Sequence, residues 1–327
     1  MGLSFNAVTV LCALLIEATF GYPASLLDRV KHPVMWMGAL LEYFESQLNH
    51  PSMPEEKRRL NGMIALAALL ATSVLPIIAL QYTLLQLPGP VALVVLACLA
   101  STLVAQRCLY EHVTAVVEAL DACGLEAGRE AVAKIVGRDA RALDEAGVAR
   151  AAIESLAENF SDGVVAPCLW GVLLGLPGMA AYKAVNTADS MIGHRTLRYA
   201  GFGYAAAKFD DLLNLPASRL AALWIIIAAR FHDDVSFKQA VAVVQRDARN
   251  HRSPNAGWPE AAMAGALNLK LSGPRCYHRA STEDAWIGEG KSEATTADIR
   301  RALALYRTAC GVQIAALGVL ALLIAQA

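Results

Sequence analysis

Long apolar runs recur along the chain and predict membrane-spanning helices. Residues 62–82 and 90–106 carry no charged side chain and are separated by a short uncharged turn, residues 83–89. A helix needs roughly 20 apolar residues to cross a bilayer, so these two runs predict a transmembrane hairpin. Two further apolar runs, residues 3–20 and 308–325, each predict one more span.

Two other apolar runs, residues 163–182 and 213–229, contain features that disfavour a simple span. The first is interrupted by glycines and a proline, and the second contains a proline and an arginine. If both runs cross the membrane, the polar residues 183–212 lie on the opposite side from the polar residues that precede the first run. Alternatively, residues 163–176 and 179–192 form a helical hairpin that does not cross, which is tolerated where it packs against protein. We favour the hairpin, because it lets the polar residues converge.

Basic residues predict the orientation of the chain in the membrane. The turn at 83–89 has no Lys or Arg, whereas the loops 21–61 and 107–162 carry five and six. Because basic loops remain in the cytoplasm, both loops are predicted to lie there. No strand pattern is visible. The predicted fold is all-α: a polytopic integral membrane protein with about four transmembrane helices, non-spanning helical hairpins and a cytoplasm-facing polar helical region. We expect a single membrane-embedded domain over residues 1–327, with a polar active-site region over residues 107–307.

The composition agrees with a chain partly dissolved in lipid. Hydrophobic residues make up 56% and charged residues 17%, against about 45–50% and about 25% in soluble domains. The net charge of −1 provides no basic field, so no nucleic-acid partner is expected. The seven cysteines contain no CxxC pair and the histidines no HExxH pair, which disfavours a zinc site.

Three carboxylates share one face of a predicted helix. Glu154, Glu158 and Asp162 are spaced four residues apart, so they stack along one side with no cation between them. Their repulsion is relieved if a divalent cation or a cationic amine lies among them, and Mg²⁺ commonly takes one or two carboxylates. The alternative is an ordinary solvated helix face.

A second polar stripe begins directly after an apolar run. Helical spacing places Lys183, Asn186, Thr187 and Ser190 on one face, with Asp189 at its margin. Polar residues at membrane depth are costly and usually functional. The stripe is therefore a candidate for binding phosphate and Mg²⁺. The alternative is a set of hydrogen bonds that join neighbouring helices.

Two shorter charged clusters follow. Asp210 and Asp211 come just after Lys208, and adjacent residues point in different directions on a helix, so at most one of the two aspartates is a direct ligand. Arg249 and Arg252 precede a predicted helix start, where backbone N–H groups help to bind an anion. The alternatives are an acidic pair stabilised at a helix N-terminus and a basic loop near anionic lipid headgroups.

These polar segments resemble the adenosylcobinamide-phosphate synthase family, also called cobalamin biosynthesis protein CobD or CbiB. The resemblance runs through nearly the whole chain and is strongest in two long motifs, ESLAENFSDG (154–163) and YKAVNTADSMIGHR (182–195). The other matching stretches are HPVMWMG (32–38), FGYAAAKFDDLLNLPASRL (202–220) and RDARNHRSPNAGWPEAAMAGALNLKLSGP (246–274).

The resemblance implies an enzyme of the bacterial inner membrane that acts late in corrinoid assembly, with its active site facing the cytoplasm. It implies a ligase that joins adenosylcobyric acid to (R)-1-aminopropan-2-ol or its O-phosphate in an ATP-linked step. The product is adenosylcobinamide or its phosphate. We therefore expect a requirement for Mg²⁺ and ATP, with ATP bound here or on a partner. The bilayer and other enzymes of the corrinoid pathway are the expected partners.

Within this hypothesis the clusters receive roles. Glu158 is the predicted base for the attacking ammonium, on the premise that burial raises its pKa. The predicted catalytic residues are Glu154, Glu158, Lys183 and Asp189. The predicted metal ligands are Glu154, Glu158, Asp162, Asp189 and Asp210. The predicted substrate- and phosphate-binding residues are His32, Asn159, Ser161, Asn186, Ser190, Arg195, Lys208, Arg249, Arg252 and Asn255.

Two rival functions are open at this point. The NxxD spacing of Asn186 and Asp189 resembles the Mg²⁺-binding motif of membrane prenyltransferases, which usually carry a second motif of this kind. Here Asp210 lacks an aspartate partner four residues away. A membrane transporter or sensor, in which the polar stripe lines a path, predicts instead that residues 163–182 and 213–229 both span the membrane.

Overall fold

The computed structural model describes residues 2–326 apart from residues 23–28, 138–139, 195, 274, 278–279 and 283–284. It is 78% helical, which confirms the predicted, nearly all-α fold. The helices in chain order are α1 (Leu3–Phe20), α2 (Pro33–Leu48), α3 (Glu55–Leu84), α4 (Gly89–Ser101), α5 (Gln106–Cys123), α6 (Leu125–Val132), α7 (Glu145–Phe160), α8 (Ala166–Ile192), α9 (Tyr204–Ala228), α10 (Phe237–Asp247), α11 (Gly257–Leu267) and α12 (Thr296–Gln326).

Shorter elements complete the described chain. A π-helix, Ser161–Val165, joins α7 to α8 without a break, and 3-10 turns at Ala229–Phe231 and Ala248–Asn250 follow α9 and α10. Short strands that were not expected from the sequence lie between α11 and α12: β1 (Leu271–Ser272), β2 (Arg275–Tyr277), β3 (Ala280–Thr282) and β4 (Trp286–Ile287). Strand β1 pairs antiparallel with β4, placing Leu271 opposite Ile287, and β2 pairs antiparallel with β3.

The chain divides into two compact units. The first comprises residues 1–105, 166–214 and 317–327, and the second comprises residues 106–165 and 215–316. Helices α9 and α12 therefore each begin in one unit and end in the other. That the whole chain acts as a single domain stays a prediction.

The chain is a multi-pass membrane protein. Within the described residues, six helical stretches are long and apolar enough to cross a membrane: Leu3–Phe20, Glu55–Leu84, Gly89–Cys123, Glu145–Ile192, Tyr204–Phe231 and Thr296–Gln326. The four predicted spans fall within four of these stretches. The predicted count of about four is not confirmed, because the stretches that contain α8 and α9 also have the required length and hydropathy.

Helix α8 reverses direction at Gly175. This residue has a φ of 70° and a ψ of −161°, outside the helical region. A Cβ added to Gly178 would lie 2.4 Å from the Trp170 carbonyl oxygen, and one added to Gly171 would lie 2.8 Å from the Met179 side chain. Residues eight apart on a straight helix are separated by about 12 Å. The two halves of α8 therefore pack on each other, so the segment folds back as predicted. That the hairpin does not cross the membrane stays a prediction.

Amide side chains of two neighbouring helices hold the tip of this hairpin. Asn6 Nδ2 of α1 donates to the Val172 carbonyl oxygen (3.2 Å), and Gln81 Oε1 of α3 accepts from the Leu176 N–H (3.1 Å). Backbone groups freed at a helix break in an apolar environment need such partners. This explains why α1 carries a buried asparagine at this position.

The second arm of α8, residues 176–192, packs with α2 and α3 around one core of the first unit. The buried residues of this core are Met37, Leu41, Ala65, Leu66, Leu69, Ala184, Val185, Ala188, Ile192, Phe202 and Ala206. The apolar face of the arm is thus covered by protein, and its position is set by the burial of these side chains.

The second unit has its own aromatic contact between α7 and α12. The rings of Phe160 and Tyr306 lie edge to face with centroids 5.4 Å apart. The Tyr306 hydroxyl donates to the Gln106 carbonyl oxygen (2.8 Å), so the buried phenol is satisfied. The contact fixes the end of α7, immediately before the π-helix.

Replacing Gly62 with alanine is expected to destabilise the first unit by about 1–3 kcal/mol or more, the cost of overpacking. The added Cβ would lie 1.9 Å from the Phe202 carbonyl oxygen, so the backbone must move. Gly318 is the matched control, because nothing lies within 4 Å of a Cβ placed there. Thermal unfolding of the purified variants should show a lower Tm for Gly62→Ala and an unchanged or higher Tm for Gly318→Ala. Equal Tm values would contradict the close packing.

Candidate functional site

A cavity lies in the first unit between the start of α2 and the second arm of α8. Its volume of about 570 Å³ is within the range of small-molecule sites, about 300–1,000 Å³. The predicted polar stripe forms one wall, since Lys183, Asn186, Thr187 and Ser190 all line the cavity. The remaining lining residues are Lys31, Val34, Met35, Trp36, Gly38, Ala39, Glu42 and Met191.

A hydrogen-bonded network links this wall to the buried start of α9. Lys183 Nζ donates to Asn186 Oδ1 (3.2 Å), and Asn186 Nδ2 donates to Asp210 Oδ1 (3.4 Å). The other Asp210 oxygen accepts from Asn214 Nδ2 (2.9 Å), whose Oδ1 accepts from the Tyr182 hydroxyl (2.9 Å). Buried polar groups are stable only when they are paired in this way. The network therefore orients Lys183 and Asn186 on the cavity wall.

The two adjacent aspartates of α9 point in different directions, as predicted. Asp210 is buried within the network, whereas Asp211 Oδ2 lies 3.5 Å from Lys208 Nζ in an ion pair near the surface. Asp189, on the second arm, is close enough to Asp210 for the two negative charges to repel each other. The first unit thus holds a pair of carboxylates beside Asn186.

The five predicted metal ligands do not form one metal-binding cluster among the described residues. In the described part of the chain, no group of three or more His, Cys, Asp or Glu side chains is arranged to hold a metal ion. The pair formed by Asp189 and Asp210 still matches what Mg²⁺ requires, because this ion usually takes one or two carboxylates together with water and substrate phosphate. Binding of Mg²⁺ stays a prediction.

His32 caps the helix that provides the second cavity wall. Its Nδ1 accepts from the Val34 N–H (3.3 Å), and Pro33 occupies the first helical position. The ring lies 4.7 Å from that of Tyr22. Burial, together with the nearby charge of Lys183, lowers the pKa of His32. The imidazole is therefore neutral at pH 7 and can accept the capping bond. The capping role is structural, and the predicted substrate contact stays a prediction.

Replacing His32 with asparagine is expected to preserve this cap, whereas alanine should destabilise the protein by about 1 kcal/mol. The pKa of His32 is lower in the folded protein than its ordinary value of 6.5. The stabilisation by His32 is therefore complete above pH 6.5 and is lost as the pH falls through the lower folded-state pKa. Thermal unfolding from about pH 5 to about pH 8 measures this. The Tm of His32→Asn should fall less at low pH than that of the wild type, because asparagine does not titrate. If the two proteins show the same dependence of Tm on pH, His32 is not the titrating cap.

An ion pair ties the segment after α8 back to α2. Arg198 Nε and Nη2 donate to the two carboxylate oxygens of Glu45 at 2.9 and 2.6 Å. Asn49 Nδ2 also donates to Glu45 (2.8 Å), and Arg58 donates to the carbonyl oxygens of Leu197 and Arg198. The hydrogen bond from Arg198 lowers the pKa of Glu45. The exit of the second arm is thereby held against the helix that forms the opposite wall.

In the second unit, the acidic motif continues directly into the π-helix. Such π segments are rare and are found frequently at functional sites. Ser161, its first residue, is 2% exposed, and its Oγ has no hydrogen-bond partner among the described residues. A buried hydroxyl without a partner is costly. This favours Ser161 as a group that a bound molecule would satisfy.

The three stacked carboxylates of this motif have unlike environments. Glu154 is buried, and its Oε1 accepts from the Ser272 N–H (2.8 Å). Ser272 has a φ of 59°, which few residues other than glycine adopt, so Glu154 stabilises this turn. Glu158 is exposed, and the predicted burial of this base is wrong. Asp162 is partly exposed. The catalytic and metal roles of all three stay predictions.

The basic loop before α11 also belongs to the second unit. Asn255 is buried, and its Oδ1 accepts from Arg219 Nη1 (3.0 Å) and Ser218 Oγ (3.3 Å). Arg249 and Arg252 are exposed. The two predicted sets of site residues thus lie in different units, and their convergence on one pocket stays a prediction.

Of three further predicted binding residues, two make hydrogen bonds to the backbone of their own helix and one is not described. Asn159 is exposed and donates to the Ser155 carbonyl oxygen (2.9 Å), and Ser190 Oγ donates to the Asn186 carbonyl oxygen (2.9 Å). Arg195 lies outside the described residues.

Sequence reasoning missed the residues of α2 that face the polar stripe. Glu42 and Trp36 line the cavity but belong to none of the acidic or basic clusters. The only available signal was the HPVMWMG stretch, which places Trp36 near the start of a helix. Tyr182 and Asn214 were likewise not assigned to the site, although each is next to a predicted site residue or within one of the motifs.

Similar proteins identify the family. A family model described as "CobD/Cbib protein" matches residues 10–306. The chain belongs to the CobD/Cbib family. Its similar proteins include "Cobalamin biosynthesis protein CobD" of Rhodobacter capsulatus, 46% identical over 98% of this chain and 99% of that protein. The protein of the same description from Sinorhizobium fredii is 46% identical over 96% and 97%, and that from Brucella suis is 44% identical over 93% of each. No solved structure matches the chain.

Membership of the CobD/Cbib family confirms the resemblance inferred from the motifs and gives the protein a role in cobalamin biosynthesis. The matched region contains every predicted site residue, from His32 to Asn255. The matched region includes residues of both compact units, so the family similarity is not confined to one of them.

Proposed function

We propose that the protein is a ligase that joins adenosylcobyric acid to (R)-1-aminopropan-2-ol or its O-phosphate, giving adenosylcobinamide or its phosphate. The observation that carries this proposal is the full-length match to CobD/Cbib proteins, which includes both long motifs. Those motifs supply the polar wall of the cavity in the first unit and the acidic helix in the second.

The chemistry requires an activated carboxyl group, because a carboxylate does not react with an amine unaided. A carboxylate oxygen of the corrinoid attacks the terminal phosphorus of ATP, and ADP leaves. The amine nitrogen then attacks the acyl carbon of this acyl phosphate, and inorganic phosphate leaves. The proton lost by the ammonium goes to a base, which we assign to Glu158. Its exposure leaves it accessible to a soluble amine.

Cationic side chains would bind the phosphates and stabilise the charge that develops on them. In the first unit these are Lys183, on the cavity wall, and Lys208; in the second unit they are Arg249 and Arg252. When bound, Mg²⁺ would supply further neutralisation of the phosphate charge. The residues that fit this ion are Asp189 and Asp210, whose mutual repulsion a cation would relieve.

The cavity volume of about 570 Å³ suits a nucleotide, an amino alcohol phosphate or one side chain of a corrinoid. The remainder of the corrinoid macrocycle would lie outside it. We propose that the enzyme resides in the bacterial inner membrane with this site facing the cytoplasm. The basic loops on either side of the α3–α4 hairpin support that orientation.

Reconstitution of the purified, full-length protein tests the proposal. The protein in lipid nanodiscs is incubated with adenosylcobyric acid, Mg²⁺, ATP and each amine in turn, and the product mass is measured. We expect one amide linkage to form only when ATP and an amine are both present. If no amine is incorporated under any of these conditions, the ligase assignment is wrong.

A further inference from the structure

The guanidinium group of Arg219, on α9, is held in one orientation. An aromatic ring contacts its flat face, and hydrogen bonds hold one of its edges. Its guanidinium lies 4.4 Å from the Trp258 ring centroid. Nη1 donates to the Leu215 carbonyl oxygen (3.1 Å), to Ser218 Oγ (3.0 Å) and to Asn255 Oδ1 (3.0 Å). All of these residues belong to the second unit. A planar cation held in this way loses little entropy when it binds a ligand.

The remaining edge of this guanidinium is available for a ligand. The hydrogen bonds of Arg219 within the described residues all use Nη1, which leaves the Nε–H and Nη2–H groups to donate elsewhere. This pair of parallel N–H groups is the arrangement that binds phosphate or carboxylate in a bidentate manner. The three acceptors are also uncharged, so they do not offset the positive charge.

A second arginine adds to the positive charge at this position. Arg249 is close enough to Arg219 for the two charges to repel each other. Arg249 is exposed and has no ion pair within the described part of the chain. Arg219 lies on α9, within a stretch apolar enough to cross a membrane, and Arg249 lies in the 3-10 turn after α10. Two like charges kept close together are unfavourable unless an anion lies between them, and an ionisable residue within such a stretch is usually functional.

We infer that Arg219 and Arg249 form a phosphate-binding site, in which Arg219 makes a bidentate contact and Trp258 positions its guanidinium. The inference deepens the proposed function and rests on it for the identity of the natural ligand, a phosphate group of a reactant. Binding of inorganic pyrophosphate nevertheless tests the site without any turnover.

The test measures pyrophosphate affinity by calorimetry, with the full-length protein in nanodiscs of phosphatidylcholine. Arg219→Lys keeps the charge but loses the paired N–H groups, and should weaken binding by about tenfold or more, the effect of one charge-assisted hydrogen bond. Arg230→Lys is the matched control, because Arg230 also lies over an aromatic ring, that of Phe237 at 5.9 Å. It should bind pyrophosphate like the wild type.

Lipid phosphate is the other source of the same chemistry, and nanodiscs that contain phosphatidylglycerol distinguish it. Competition by this lipid that disappears in Arg219→Lys supports a phosphate site filled by headgroups; unaltered pyrophosphate binding in the wild type supports a site for soluble phosphates. Arg219→Lys with wild-type affinity in both kinds of nanodisc would overturn the inference. If pyrophosphate binds through Arg219 but no amide forms, only the proposed function fails.

Discussion

Glu158→Gln is expected to reduce amide formation by about 100-fold to 10,000-fold, the usual contribution of a positioned general base. Glutamine keeps the size of the side chain and its ability to accept a hydrogen bond, but it cannot take the proton of the attacking ammonium. Because Glu158 is exposed on α7, the substitution should leave the fold unchanged. The rate of product formation at saturating amine measures the effect.

The matched control is Glu145→Gln, at the start of the same helix and also exposed. It removes the same charge from α7 and should retain most of the activity. A base also predicts that the loss in Glu158→Gln is smaller at high pH, where more of the amine is already deprotonated. Full activity in Glu158→Gln, or equal losses in the two variants, would rule out the role of Glu158 as the base.

Local features of the fold could be predicted from the sequence because their causes are local. The apolar runs at 3–20 and 62–82 fall within α1 and α3. The glycine and Pro-Gly breaks of the 163–182 run predicted the reversal that the structure places at Gly175. Proline favours the first position of a helix, and α2 begins at Pro33. In each case the backbone preference of a few adjacent residues determines the result.

Features that depend on distant parts of the chain could not be predicted in this way. Nothing near Glu154 indicates that its carboxylate binds the backbone of Ser272, 118 positions later. That Glu42 and the polar stripe line the same cavity depends likewise on how α2 packs against α8. Helical periodicity identifies the polar face of each helix, but it does not specify which face of another helix it meets.

The difference between local and distant causes also explains why the sequence groups five acidic residues as metal ligands, whereas the structure gives them unlike environments. Spacing along the chain groups carboxylates by helix face, whereas burial and hydrogen bonding assign each one separately. Asp210 is buried between Asn186 and Asn214, while its neighbour Asp211 pairs with a lysine. A carboxylate's role thus depends on the donors brought to it by other helices, which the motif alone does not contain.

Lys183→Met is expected to lower turnover by about 100-fold or more, the effect of removing one group that stabilises developing charge. Lys183 lines the cavity, and its Nζ is held by Asn186 within the buried network. Methionine retains an unbranched side chain and removes the charge. If Lys183 binds a phosphate, the loss should depend on ATP or on the amine phosphate, so the change in KM identifies which of the two it contacts.

Lys57→Met is the control for charge, since Lys57 is exposed on α3 of the same unit and lies away from the cavity lining. Lys183→Arg should retain part of the activity. The positive charge remains, but a planar guanidinium replaces the compact ammonium group and binds a phosphate with different geometry. Thermal unfolding shows whether each variant is folded. A folded Lys183→Met protein with normal turnover would contradict the phosphate-binding role of Lys183.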